Sequence, residues 1–108
     1  MAKSVITNQY SAALTATGVS GGFVALEDTD NMDGRFNFSV WGTFVGTFRV
    51  LRSFDGGTTK LPCTDSAGAA VTFSGPLTIV MIEPENGVTY YIEVTAYTSG
   101  SIFYRFSK

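Results

Sequence analysis

The chain has 108 residues, 44% of them hydrophobic and 14% aromatic, with seven Lys and Arg against nine Asp and Glu and a formal charge of −2. This length and apolar content fit one packed domain and exclude both a disordered tail and two substantial domains. The scattered, slightly acidic charge gives no footprint for nucleic acid, while one Cys and no His argue against zinc sites, imidazole bases and intrachain disulfides.

In chain order, MAKSVITNQY at residues 1–10 lacks the apolar run of a cleaved leader, and no segment reaches the roughly 20 apolar residues of a membrane span. It is expected to form an N-terminal arm that orders on binding, followed by a single domain over residues 11–108; no membrane association is expected. SAALTATG and GGFVALED are plausible strands separated by a Gly-rich turn. RFNFSVWG alternates cleanly, with Phe36, Phe38 and Val40 on one face and Asn37, Ser39 and Trp41 on the other. GTFRVLRSF repeats the pattern, placing Phe48, Val50 and Phe54 on one side and Arg49 and Ser53 on the other. There Leu51 falls on the polar side and Arg52 on the apolar side, so Arg52 is predicted to lie at an edge or to meet a carboxylate. KLPC and AAVTF are short strands, and Cys63 at the end of the first is expected as a small buried hydrophobe. PLTIVMIE is apolar on both faces, as for a strand covered on one side by its own core and on the other by a second layer or a partner subunit. VTYYIEVTAY alternates Val88, Tyr90, Ile92, Val94 and Ala96 against Thr89, Tyr91, Glu93, Thr95 and Tyr97, and with IFYRFS it is predicted to close a C-terminal hairpin.

Helical periodicity is nearly absent, and turn signals recur every 8 to 12 residues or so, as in antiparallel sandwiches and barrels. The predicted fold is all-β: an antiparallel two-sheet sandwich of about eight or nine strands, jelly-roll-like or immunoglobulin-like. No paired Cys around a buried Trp is present to decide the strand order.

Three stretches invite a functional reading. Ser53, Asp55, Gly57 and Thr59 fit S-x-D-x-G-x-T, a spacing that resembles the Asp-box of sialidases and other β-propeller proteins, although Lys60 stands where a Trp usually follows. The resemblance implies a structural turn in which the Asp side chain accepts backbone N–H groups. A catalytic carboxylate is the weaker alternative, because no second acid stands at a recognisable spacing. In EDTDNMDG, Asp28, Asp30 and Asp33 carry oxygen ligands suited to Ca²⁺, but the D-x-D-x-D-G spacing is missed by one residue and a solvated connection is the preferred reading. Trp41, Tyr90, Tyr91, Tyr97, Phe103 and Tyr104 are either core and interface aromatics, the preferred reading, or a sugar-stacking platform. No catalytic residue, cofactor site or metal site is assigned.

The stretches VWGTFVGTFRVLRSFDGGTT and YYIEVTAYTSGSIFYRFS, within Val40 to Tyr104, are similar to small β-sandwich structural proteins of tailed bacteriophages. That resemblance implies a non-enzymatic virion component made in the host cytoplasm, with a capsid decoration or cement protein on the capsid surface as the preferred reading. Its implied partner is the major capsid protein, and a homotrimer would match the local threefold positions of a shell. A carbohydrate- or receptor-binding sandwich and a neck or tail component are the alternatives. For self or shell contact the sequence nominates Phe23, Val24 and Leu26 in the early strand and Leu77, Ile79, Val80 and Ile82 in the PLTIVMIE strand.

Overall fold

Thr, Val, Ile, Phe and Tyr dominate the apolar stretches, and their branched or aromatic side chains pack well on a pleated surface. The computed structural model describes residues 9–25 and 34–107, and within them every regular element is a strand. In order these are β1 (Gln9–Leu14), β2 (Gly18–Val19), β3 (Phe23–Val24), β4 (Arg35–Trp41), β5 (Phe44–Ser53), β6 (Leu61–Pro62), β7 (Thr72–Phe73), β8 (Leu77–Ile82), β9 (Thr89–Gly100) and β10 (Ile102–Ser107). β1 therefore begins at Gln9, inside the stretch expected as an arm; residues 1–8 lie outside the described residues.

Two antiparallel sheets face one another. The first has the order β1-β10-β4-β8, and the second has β2-β9-β5-β6, with β3 also on β9 and β7 also on β5. β2 and β3 run along β9 as one interrupted strand, and β6 and β7 run along β5 as another. The ten segments thus behave as eight strands in two four-stranded layers. Their order is that of a jelly roll, in which an antiparallel ribbon is rolled so that its halves alternate between sheets. This settles the choice left open between jelly-roll and immunoglobulin order.

The expected C-terminal hairpin is not formed. β9 belongs to the second sheet and β10 to the first, and the chain changes sheet at Ser101. The partner ribbon does the same between β4 and β5, and the register continues through the bend: Trp41 faces Phe103 on one side of it and Phe44 faces Gly100 on the other. Strands that switch sheets need bends or bulges at the corner. Here Gly42 and Gly100 supply it with φ of 111° and 90°. A Cβ at Gly100 would collide with the Thr43 carbonyl oxygen and lie 2.6 Å from the Phe44 Cα.

The core fills the space between the layers. Phe36, Phe38 and Val40 from β4 meet Phe48 and Val50 from β5, Val88, Tyr90, Ile92 and Val94 from the β9 segment, and Ile102, Tyr104 and Phe106 from β10. Phe106 stacks on Phe38 at 4.7 Å and on Phe23 at 5.6 Å between ring centroids, inside the range where offset aromatic pairs attract. The period-2 reading holds for these residues and fails at four others. Phe54 is exposed, whereas Leu51 and Ser53 are buried on the outer side of β5, where Leu51 sits opposite Tyr91 and the loop after Ser53 folds back over it. Ala96, expected inside, is exposed between the register shifts at Val45/Gly46 and Thr47/Phe48, which break the alternation.

Candidate functional site

Arg52 is the residue that breaks the alternation of β5, and its environment explains how the fold accepts it. It lies opposite Tyr90 at the end of the core, and its guanidinium grips Glu83 with two hydrogen bonds: Nε donates to Oε1 and Nη2 donates to Oε2 at 2.9 Å. Glu83 is only 2% exposed. Its carboxylate also accepts the Tyr90 hydroxyl at 3.0 Å and the Glu85 backbone N–H at 3.0 Å, and its own N–H bonds the Gly34 carbonyl. Burial raises the Glu83 pKa, but these donors together outweigh it and hold the carboxyl below the usual range. Tyr90 is shifted up, first by burial and then by its bond to Glu83. The cluster is a satisfied structural network on the rim of the core. The sequence signalled Arg52 through its misplaced charge; Glu83 carried no such signal, because it ends an apolar strand where an exposed acid would be equally ordinary.

The RSFDGGTTK stretch closes the β5–β6 hairpin. Ser53 Oγ donates to Asp55 Oδ1 at 2.9 Å and accepts the Gly57 N–H at 2.9 Å, while the same carboxylate oxygen accepts the Thr59 N–H at 2.8 Å. Gly57 has φ of 99°. The Thr59 backbone donor is the main cause of the lowered Asp55 pKa. Lys60, in place of the Asp-box Trp, donates to the Gly57 carbonyl and sits 5.0 Å from the centroid of the Tyr91 ring. Asp55→Ala is expected to lower Tm and loosen loop 54–60 while leaving the rest of the fold intact, as read by thermal melting and limited proteolysis. The Asp55 contribution is present above its unfolded pKa and fades as pH falls through its depressed folded value.

The other described acids have partners of their own. Glu93 pairs with Arg49 at 2.6 Å, Glu85 lies 3.5 Å from Arg52, and Asp65 accepts the Ala67 and Ala69 N–H groups in a second turn. Among the described residues no group of three or more His, Cys, Asp or Glu stands close enough to hold a metal ion. Asp28, Asp30 and Asp33 lie outside the described residues, as does Leu26.

Two apolar surfaces stand out among the described residues. The first is β8, which lies at the edge of its sheet and, among the described residues, has no second layer over its outer face. Thr78, Val80 and Ile82 pair with Ser39, Asn37 and Arg35 on the solvent side, and Val80 and Ile82 are 63% and 61% exposed. Leu77, Ile79 and Met81 pair with Val40, Phe38 and Phe36 on the core side. Beside that edge, between the sheets, is an apolar cleft of about 190 Å³ lined by Val50, Cys63, Val71, Phe73, Ile79 and Met81. Cys63 is half-buried there, and burial pushes its thiol pKa up. The cleft went unseen in the sequence, since its walls come from β5, β8 and the 63–73 segment, which meet only through the sheet order.

The second surface is the pair Trp41 and Phe103, exposed and stacked at 5.9 Å with planes 14° apart, above a shallow depression of about 270 Å³ that also touches Ala12, Ala13 and Tyr104. The other nominated aromatics are elsewhere: Tyr90, Tyr91 and Tyr104 are buried, and the Tyr97 hydroxyl bonds the Gly100 carbonyl. Among the nominated contact residues, Phe23 is a correction. It is packed in the core against Phe36 and Phe106, because β3 turns that side chain inward, while Val24 is half-buried. A scan against protein-family models, a search of curated proteins and a search of solved structures each returned no match.

Proposed function

We propose that the protein is a non-enzymatic structural component of a phage virion, most specifically a capsid decoration protein that binds the assembled head. The observation that carries this reading is the uncharged β8 edge with Val80 and Ile82 turned to solvent, on a fold that needs no disulfide. Contiguous exposed apolar surface marks association sites. Repetition of a modest contact over a symmetric shell multiplies its effect. The described carboxylates fit the same reading, since each is engaged by an arginine or by backbone donors. The resemblance of the Val40 to Tyr104 region to small phage structural proteins supplies the particle.

Mass spectrometry and immunogold labelling of purified particles from a host carrying the gene test this directly. Label distributed over the heads at high copy number is the expected result. Label confined to the neck or tail would support the tail-component reading, and absence from the particles would overturn both. A glycan-binding module is the second reading, favoured by the exposed Trp41–Phe103 pair, since aromatic faces stack on sugar rings. A glycan array read with wild type and Trp41→Ala separates it: binding lost in the variant favours the module.

A further inference from the structure

We infer that β8 is a self-pairing edge, on which a second copy of this chain adds its own β8 antiparallel about a twofold axis. It draws on the same exposed β8 edge as the decoration reading without requiring that reading, and it assigns the edge to a second copy, which leaves shell contact to the other faces of the dimer.

Three observations converge on a second copy as the occupant. First, the backbone edge calls for a strand. Among the described residues β8 pairs with β4 alone, so the groups on its other side have no strand to bond. Secondly, the usual protections of an edge are missing inside the strand. Leu77 to Ile82 contains no Lys, Arg, Asp, Glu or Pro and no register shift against β4; Pro76 and Glu83 stand just outside it. A strand with net charge would repel its own copy, whereas this one meets no like charge on pairing with itself. The nearest acid, Glu83, is buried against Arg52.

Thirdly, the register works on both faces. A twofold axis perpendicular to the sheet keeps core-side residues opposite core-side residues. Placed at Val80, it sets that residue opposite its own equivalent, Thr78 opposite Ile82, and Ile79 opposite Met81. Val80 and Ile82 then lose water on the outer face. On the core side Ile79 and Met81 of the added copy lie across the mouth of the 190 Å³ cleft, which those same two residues help to line. One pairing thus covers the edge, the outer row and the cleft mouth together. Because the contact is isologous it closes on itself and gives a dimer; a further copy finds no second β8 to extend from. The contact is small, at the low end of specific interfaces (below about 1,200 Å² in total), so the dimer is expected to be concentration-dependent.

The test is the native mass across a wide concentration range, by light scattering after size exclusion, with charge-swap variants at the axis. Wild type is expected to rise from the 11.6 kDa of one chain toward twice that value. Val80→Lys and Val80→Glu, at a solvent-facing position where the monomer fold loses little, should each stay at one chain with unchanged circular dichroism. Mixing the two variants should restore the dimer, because opposite charges then face each other across the axis. Monomer at every wild-type concentration overturns the inference. So does an oligomer that both variants leave intact, including the trimer expected from shell symmetry.

Discussion

Arg52→Ala is expected to destabilise the protein by about 3 to 5 kcal/mol in urea unfolding, more than Glu83→Ala, which should cost about 2 kcal/mol. The asymmetry follows from burial. Removing the guanidinium leaves the Glu83 carboxylate, 2% exposed, with only the Tyr90 hydroxyl and the Glu85 N–H. Removing the carboxylate leaves an arginine that still reaches water and Glu85, since Arg52 is 35% exposed. Replacing the whole cluster by apolar groups of similar size, Arg52→Met with Glu83→Leu and Tyr90→Phe, should cost less than Arg52→Ala alone, because no charge or hydroxyl is left buried without a partner. Equal losses for the two single variants would refute the burial argument.

The same network predicts an acid limb. The folded Glu83 pKa is below its unfolded value, so the unfolded chain binds the proton more readily and stability rises with pH through this range. The Glu83 contribution is complete above the ordinary carboxyl pKa of about 4.3 and is lost as pH falls through the depressed folded value. The triple variant should show a shallower decline in acid than wild type.

Gly100→Ala is the second large effect. Its φ of 90° is strained for any residue with a Cβ, and that Cβ would strike the Thr43 carbonyl in the bend between β4 and β5. The corner is shared by both ribbons, so neither can move away without breaking the register that runs from Trp41–Phe103 to Phe44–Gly100. A loss of more than about 4 kcal/mol is expected, a large part of the 5 to 15 kcal/mol typical of a domain. Poor soluble yield or a collapsed Tm would report it. Gly75→Ala is the control: a Cβ there meets nothing within 4 Å, and its φ lies outside the left-handed region. It should be neutral or stabilise by about 0.4 to 1 kcal/mol.

The sequence by itself determined the all-β class, the buried faces of β4 and the first half of β9, and that Arg52 must lie at an edge or meet a carboxylate. These depend on local chemistry: period-2 alternation sorts side chains between faces, and a cation on an apolar face must reach water or find an anion. The turn around Asp55 was legible for the same reason, since its bonds span only a few residues. Tertiary structure decided that β9 and β10 part into different sheets, because a corner and a hairpin use the same small residues, and only the distant partners, β5 for β9 and β4 for β10, distinguish them. It decided that Glu83 is the anion, that Phe23 turns inward and Phe54 outward, and that β8 lies at an edge. An apolar strand reads alike in the middle of a sheet and at its border. Its neighbours are chosen by contacts far apart in the chain, and there local alternation carries no information.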